Sequence, residues 1–197
     1  MSANNWLYSD TVKDHFMNPR NILLEDEDFP ADGSGEIGNI RCGDQMLMLL
    51  QIKDDIITGV RWKTYGCASA IASTSMLSQT IKGMKIADAY NIKPEDLVQK
   101  LGGLPENKIH CSVLGDKALR AAIDDYLSKT GRAGLFKEEE VTICNCLGIT
   151  DKDLEAVWKK GAKSWEQLQQ ATKIGTVCRS CKDKALELIH EFEHLYG

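Results

Sequence analysis

The seven cysteines of this 197-residue chain form two sets with different spacing. One set is a pair of tight motifs, Cys144-Asn-Cys146 and Cys178-Arg-Ser-Cys181, with thirty-one residues between them. Four thiolates on two short loops are the ligands of a tetrahedral zinc ion or of an iron–sulfur cluster. This set therefore predicts a closed metal centre.

The second set consists of Cys42, Cys67 and Cys111, each at a junction between a loop and a predicted helix or strand. Asp44 lies two residues after Cys42, and His110 directly precedes Cys111. Free cysteines are often small buried hydrophobes, but polar ligands beside these thiols favour a metal site. Such a mixed set can accept iron, zinc or sulfur and can also release them. The second set therefore predicts an open site.

Composition narrows the class of protein. The chain is 43% hydrophobic and 27% charged, which is ordinary for a globular protein. Its net charge is −5, so it lacks the excess positive charge that is typical of nucleic-acid-binding domains. The N-terminus has no basic and apolar signal pattern, and the longest apolar run, Met46 to Leu50, is too short for a membrane span. An odd number of cysteines without an export signal predicts reduced thiols and a cytoplasmic location.

Apolar periodicity predicts an α+β fold for the first part of the chain. Alternating residues over 46–63 predict an antiparallel hairpin that turns at Asp54 and Asp55. Helical spacing predicts helices after Cys67 and after Cys111, the second ended by Gly131. Further expected elements are a short helix at 6–20, a loop at 25–40 and a helix that begins near Pro94. We therefore expect a small antiparallel sheet with packed helices.

A boundary is expected at residues 131–140, where two glycines precede a run of charge. This linker separates a domain at 1–130 from a small all-α domain at 141–197. In the second domain, Thr150 with Asp153 and Ser164 with Gln167 are predicted helix N-caps, and the second pair fits the capping-box pattern better. The final helix is expected to bury an apolar face: Ala185, Leu188, Ile189, Phe192 and Tyr196.

Two familiar motifs are interpreted as coincidences. The segment 33–38 matches G-x-G-x-x-G, but an acidic loop precedes it and a strand follows, so we interpret it as a flexible glycine loop. The segment 190–194 matches H-E-x-x-H, but its Phe192 belongs to the apolar stripe and only three residues follow. A metallopeptidase is therefore not expected.

The four-thiolate set carries a family resemblance. Thr142 through Asp151, followed by Gly175 through Cys181, resembles the bacterioferritin-associated-ferredoxin-like [2Fe–2S] domain. The C-x-C pair is tighter than a usual zinc knuckle, and a helix N-terminus after Cys178 would favour thiolate. We therefore expect a permanent [2Fe–2S] cluster on Cys144, Cys146, Cys178 and Cys181, with zinc and unliganded thiols as the alternatives.

The first domain carries a second resemblance, to IscU-type iron–sulfur scaffolds, over about residues 6–130. Its motifs are Tyr8 through Asn21, Cys42-Gly-Asp44, Lys63-Thr-Tyr-Gly-Cys67, Ala70-Ile-Ala-Ser73 and His110-Cys-Ser112. With the ferredoxin-like domain behind it, the chain resembles a NifU-type protein. The resemblance implies a scaffold rather than an enzyme, which receives sulfur from a cysteine desulfurase. It would build a transient [2Fe–2S] cluster, or alternatively [4Fe–4S], and pass it to apo iron–sulfur proteins.

The resemblance also implies roles for single residues. Cys111 would accept sulfur as a persulfide, supported by Lys108, and Asp44 would control release of the cluster. Iron is the expected metal of the open site, with zinc as the alternative, and its expected ligands are Cys42, Asp44, Cys67, His110 and Cys111. A homodimer is among the expected assemblies, and neither nucleic acid nor a membrane is an expected partner.

Two departures from the family and two rival functions stay open. Where the family has Leu-Pro-Pro-Val-Lys for chaperone docking, residues 104–108 are Leu-Pro-Glu-Asn-Lys, and this sequence contains no Nfu-like domain. One rival is a stand-alone [2Fe–2S] electron-transfer protein whose first domain only docks partners. The other is a zinc-dependent sulfur acceptor of the SufU branch, although that branch lacks a histidine at the position of His110.

Overall fold

The computed structural model describes residues 8–38, 45–105, 113–177 and 179–196, apart from the side chain of His194. The chain divides into two compact units, Met1–Lys137 and Glu138–Gly197. We call them unit 1 and unit 2. In the described part of the chain, no helix has both the length and the apolar character that a membrane span requires.

The α+β fold class is confirmed. Unit 1 contains α1 (Asp10–Met17), β1 (Gly33–Ile37), β2 (Met46–Lys53), β3 (Ile56–Thr64), α2 (Ala68–Ile81), α3 (Ile86–Tyr90), α4 (Pro94–Lys100) and α5 (Val113–Lys129). Unit 2 contains β4 (Thr142–Cys144), β5 (Ile149–Thr150), α6 (Asp151–Lys159), α7 (Trp165–Thr172) and α8 (Lys182–Tyr196). The predicted hairpin corresponds to β2 and β3, and the helices predicted after Cys67 and Cys111 correspond to α2 and α5.

The sheet of unit 1 is antiparallel, in the order β1-β2-β3. The hairpin turns at Asp54 and Asp55, whose φ angles are 52° and 59°. Two successive left-handed residues are typical of a type I′ turn, which matches the twist of the flanking strands. The alternation predicted for β2 is confirmed, because Met46, Met48 and Leu50 are fully buried on one face.

The segment predicted as a flexible glycine loop is instead strand β1, and that prediction was wrong. Its glycines are explained by the close approach of α5. A Cβ on Gly35 would lie 2.1 Å from the carbonyl oxygen of Ala118, and one on Gly33 would lie 2.3 Å from that of Ala122. Only glycine allows the backbone of β1 to lie directly against the helix. The sequence signal was misleading because glycines give no hydrophobic alternation.

Helix α1 is held on α2 by small polar side chains. His15 is buried, and its Nδ1 lies 2.8 Å from the hydroxyl of Ser75, which also accepts a hydrogen bond from the backbone N–H of Arg20. The carbonyl of Arg20 in turn accepts from Trp62 Nε1 at 2.7 Å. Burial lowers the pKa of His15, assisted by the nearby Arg20. Packing of α1 against α2 therefore favours the neutral form of His15.

The end of unit 1 lies inside the range predicted as a linker. After α5, Gly131 adopts a φ of 73°, as expected for a residue that ends a helix. Arg132 then forms two hydrogen bonds of 2.8 Å with the Asp55 carboxylate, and the Phe136 ring lies 5.2 Å from that of Tyr90. These contacts attach the first residues of the range to unit 1.

Unit 2 is mainly helical and adds a two-stranded antiparallel sheet, β4 with β5, which the sequence did not indicate. The capping preference was also wrong. Thr150 has the full capping box, because the Asp153 carboxylate accepts the Thr150 N–H at 3.0 Å. Gln167 instead accepts the N–H of Lys163 at 2.6 Å, one residue before the Ser164 N-cap. The core of unit 2 includes Leu154, Trp158, Leu168, Ala185, Ile189 and Phe192.

Candidate metal centres

Four of the predicted ligands lie within the described residues: Cys67, Cys144, Cys146 and Cys181. The others, Cys42, Asp44, His110, Cys111 and Cys178, lie outside them, as does Lys108. Among the residues that the structure describes, no group of three or more histidine, cysteine or acidic side chains could hold a metal ion. The full ligand sets therefore remain predictions, and the described members show how the fold positions them.

Cys67 is the N-cap of α2. Its backbone is extended, with φ of −70° and ψ of 171°, and its carbonyl accepts the Ile71 N–H at 3.0 Å. The thiol is half-buried at the N-terminal end of a 14-residue helix. The helix dipole favours negative charge at this end. The position therefore suits a thiolate ligand or nucleophile.

The elements that carry the open-site residues meet at one end of the sheet. Ile37 pairs with Met46, and Met46 pairs with Thr64, so β1 ends, β2 begins and β3 ends in one row. Cys67 follows β3 after a short turn in which Thr64 donates its hydroxyl proton to the Gln45 carbonyl at 2.7 Å. Gln45, the residue after Asp44, therefore lies beside the turn that leads to Cys67.

Helix α5 brings its first turn to the same end. It runs along β1 with Ala118 against Gly35 and Ala122 against Gly33, so its N-terminus lies toward Ile37, the last residue of β1. The end of β1, Gln45, the turn before Cys67 and the N-terminus of α5 thus lie toward the same end of the sheet. This arrangement supports the predicted grouping of residues 42–44, 67 and 110–111.

The first turn of α5 also contains a buried carboxylate that sequence reasoning missed. Asp116 is only 3% exposed and lies 3.1 Å from Arg120. Burial raises the pKa of Asp116 to about 6, although Arg120 and Lys117 oppose the rise. No residue-type pattern marks this position, because the effect comes from burial against the rest of unit 1.

A shallow pocket of about 170 Å³ lies on the outer face of the sheet. Its lining residues are Glu36, Gln45, Leu47, Lys63 and Tyr65. The Tyr65 ring is 68% exposed, and the Lys63 ammonium lies 5.8 Å from its centroid. The pocket therefore lies on the exposed face of the sheet, opposite the buried residues Met46, Met48 and Trp62.

In unit 2, the structure brings two of the predicted ligands together. Cys144 ends β4 and Cys181 directly precedes α8; both are buried, and the Cys181 thiol donates a hydrogen bond to the Cys144 sulfur. Cys146 lies in the turn between β4 and β5 and is exposed. The short sheet therefore presents one C-x-C thiol to the interior and the other to solvent.

The Cys144 sulfur is surrounded by hydrogen-bond donors. Burial opposes its ionisation, but the donors outweigh burial and lower the pKa of the Cys144 thiol. These donors are the N–H groups of Gly175, Leu147 and Cys146 and the thiol of Cys181. The pKa of Cys181 is raised, first by burial and then because its proton is shared with Cys144. Of the two thiols, Cys144 is therefore the one whose ionisation its surroundings favour.

This environment fits a thiolate-bound iron–sulfur cluster. Backbone N–H groups directed at thiolate sulfur stabilise such centres and adjust their potentials. Cys144, Cys146, Cys178 and Cys181 would hold the group, and when bound it would supply one-electron redox chemistry. Sequence reasoning missed the contribution of Gly175, because a backbone donor leaves no signal in residue type.

Comparison with known proteins assigns both regions of the chain to known domain families. The NifU-like N-terminal domain matches residues 7–133, and the BFD-like [2Fe-2S] binding domain matches residues 142–191. The chain belongs to the NifU-like family. The two matches cover the scaffold-like and ferredoxin-like regions in the order that the family resemblance implied.

Relatives differ in how much of this NifU-like chain they match. It is 47% identical over 142 residues to "Iron-sulfur cluster assembly scaffold protein IscU" of Aquifex aeolicus, covering 71% of this chain and 85% of that protein. It is 35% identical over 192 residues to "Nitrogen fixation protein NifU" of Trichormus azollae, covering 94% of this chain but 64% of the relative. Among solved structures, the N-terminal part of a NifU-like protein from Brucella abortus superposes with a TM-score of 0.48 at 17% identity, covering 62% of this chain and 96% of that one.

Proposed function

We propose that this chain is a scaffold for iron–sulfur cluster assembly, with the building site in unit 1 and a permanent [2Fe–2S] centre in unit 2. The observation that carries the proposal is the presence of both family matches in one chain, each over a region that contains one of the two predicted cysteine sets. The relatives named as scaffold proteins support a building site in unit 1. The hydrogen-bonded thiols of unit 2 support a permanent centre there.

The first chemical step is transfer of sulfur. The Cys111 thiolate attacks the outer sulfur of a persulfide on a cysteine desulfurase, a new S–S bond forms, and the enzyme leaves as its thiolate. Reduction of the bound sulfur to sulfide then takes two electrons. An external electron-donor protein supplies these electrons one at a time, and the new S–S bond breaks to give sulfide and the Cys111 thiolate. Cys144, Cys146, Cys178 and Cys181 would hold the unit 2 group, which would supply one-electron redox chemistry. Iron and sulfide, held by the open-site residues, are the substrates from which the transient cluster is built.

The position of Cys67 supports its role as a ligand of that transient cluster. A thiolate at the N-terminus of α2 is stabilised by the helix, yet it stays half-buried and therefore reachable. A site that must give up its product needs such access. The same openness suits recipients, which we propose are apo iron–sulfur proteins, and a cytoplasmic setting with reduced thiols suits the whole reaction.

Anaerobic purification followed by visible spectroscopy and iron and sulfide assay tests the proposal. We expect a coloured protein that gains a second, chelator-labile cluster when a desulfurase, cysteine and iron are added. A stand-alone electron-transfer protein would gain none. A zinc-dependent sulfur acceptor would carry zinc in unit 1 and would accept sulfur without new visible absorption. Either outcome would contradict the scaffold proposal.

Asp44 provides a test of release. A carboxylate oxygen is a poor ligand for a soft iron–sulfur unit, so we expect Asp44→Ala to retain the transient cluster longer and to transfer it more slowly to an apo-ferredoxin. Lifetime under chelator challenge measures the effect. Asp28→Ala, which removes an exposed carboxylate from the loop before β1, is the matched control. A lifetime equal to wild type or shorter would mean that Asp44 only caps its turn.

A further inference from the structure

One peptide group in the loop between α7 and α8 serves both buried sulfurs of unit 2. The N–H of Gly175 donates to the sulfurs of Cys144 and of Cys181. Gly175 is itself buried and has a φ of 71°. The direction of this single N–H bond therefore matters for both thiols at once.

The opposite side of the same peptide is held by a side chain. Nε2 of Gln169, on the last turn of α7, donates to the carbonyl oxygen of Ile174 at 3.0 Å. The Ile174–Gly175 peptide is trans, so its C=O and N–H groups point in opposite directions. The hydrogen bond from Gln169 to the carbonyl therefore fixes the direction in which the Gly175 N–H points.

A restraint of this kind is needed because the residue after the peptide is glycine. Rotation of a peptide plane changes the φ of the following residue, and glycine tolerates that change better than any other residue. Glycine is nevertheless required here, since a Cβ would lie 2.8 Å from two ring carbons of Trp165. The Ile174–Gly175 peptide could therefore rotate, and the side chain of Gln169 restrains it through its hydrogen bond.

We propose that Gln169 is a positioning residue that raises the reduction potential of the unit 2 centre by directing the Gly175 N–H at the ligand sulfurs. This inference rests on the [2Fe–2S] centre of the proposed function. Reduction adds negative charge to the cluster and its sulfurs, and hydrogen bonds from N–H donors stabilise the more negative state. Loss of the restraint should therefore favour the oxidised form.

Gln169→Met in the full chain tests the inference, because it keeps the length of the side chain and removes its donor. We expect a midpoint potential lower by about 59 mV, which corresponds to a tenfold weaker one-electron reduction. Gln170→Met is the matched control, since Gln170 is the exposed neighbour on the same helix. The control should keep the wild-type potential.

A spectroscopic readout separates positioning from a general loss of packing. In protein labelled with ¹⁵N-glycine, pulsed EPR of the reduced centre should detect a glycine nitrogen coupling that weakens in Gln169→Met and persists in Gln170→Met. Gln169→Glu, compared with Gln170→Glu, repeats the test with matched charge and preserved shape should the methionine variant fail to fold. Its potential should fall further than that of Gln170→Glu.

Three outcomes would overturn the inference. The first is a Gln169 variant with an unchanged potential, and the second is an equal shift in the Gln170 control. The third is a folded Gln169 variant that no longer binds the centre, because Gln169 would then be needed for retention rather than for tuning. A wild-type protein without any [2Fe–2S] centre would instead contradict the proposed function, so the two failures are distinguishable.

Discussion

The described thiol of unit 1 and the two buried thiols of unit 2 lie in different environments. Cys67 in unit 1 is half-buried at the start of a helix, where the chain leaves one end of the sheet. Cys144 and Cys181 in unit 2 are buried, in contact with each other and supplied with backbone donors. The first environment allows a group to enter and leave, and the second holds one. Under the proposed function, access to the thiols, as well as their number, would distinguish the building site from the permanent centre.

The first expected difference between the two units concerns the contribution of a bound group to folding. A group bound at one hundred times its dissociation constant stabilises the folded state by about 2.7 kcal/mol. Cys181→Ala should therefore lower the free energy of unfolding of unit 2 by at least about that amount. Cys67→Ala, at a half-buried helix cap, should change that of unit 1 by only about 0.5 kcal/mol. Amide hydrogen exchange, resolved by unit, measures both, and equal effects would remove the distinction.

Unit 1 should instead depend on close packing of β1 against α5. In Gly35→Ala, the new Cβ would meet the backbone oxygen of Ala118 at 2.1 Å, so strand or helix must move. We expect the free energy of unfolding of unit 1 to fall by about 3 kcal/mol. We also expect poorer cluster assembly, because α5 directly follows the predicted open-site residues His110 and Cys111 in the chain. Ser34→Ala, whose side chain is exposed on the same strand, is the control. Chemical denaturation that shows equal stability would contradict this packing.

A smaller effect is expected where α8 is joined to α6. The hydroxyl of Tyr196 donates to the carboxylate of Glu155, so Tyr196→Phe should cost about 1.5 kcal/mol at neutral pH. Burial opposes ionisation of Glu155, but hydrogen bonds from Lys159 and Tyr196 lower its pKa to about 2. Urea unfolding of wild type and variant at several pH values measures the difference.

The pH dependence has a definite sign. Because the pKa of Glu155 in the folded state is below its ordinary value of 4.5, its contribution is complete above that pH. It is then lost as the pH falls toward about 2. The stability difference between wild type and Tyr196→Phe should shrink over the same range, and a difference that grows with acid would contradict the assignment.

Much of the fold follows from periodicity. The hairpin of β2 and β3 and the helices α2 and α5 have long apolar patterns, and each was predicted close to its observed position. Strand β1 was missed because glycine at positions 33 and 35 is explained by close contact with α5, a helix that lies far away in sequence. The pair β4 and β5 is too short to show alternation.

The candidate sites divide in the same way. Residue type and spacing were enough to predict the cysteine ligands, because the chemistry of a ligand depends on its residue type. They did not identify the donors around Cys144 or the buried Asp116, since backbone direction and burial depend on tertiary contacts. Gln169 likewise carries no motif, and its role becomes visible only through the carbonyl of Ile174.

The central claim is that the chain holds two separable centres, one permanent and one transient. Iron and sulfide content with the visible spectrum, before and after desulfurase-driven reconstitution, should be measured for wild type, Cys67→Ala and Cys181→Ala. We expect Cys67→Ala to keep the resident chromophore and gain no second cluster, and Cys181→Ala to lose the resident chromophore and still assemble the labile one. A Cys67→Ala protein that assembles a second cluster at wild-type yield, or a Cys181→Ala protein with an unchanged resident spectrum, would contradict the account.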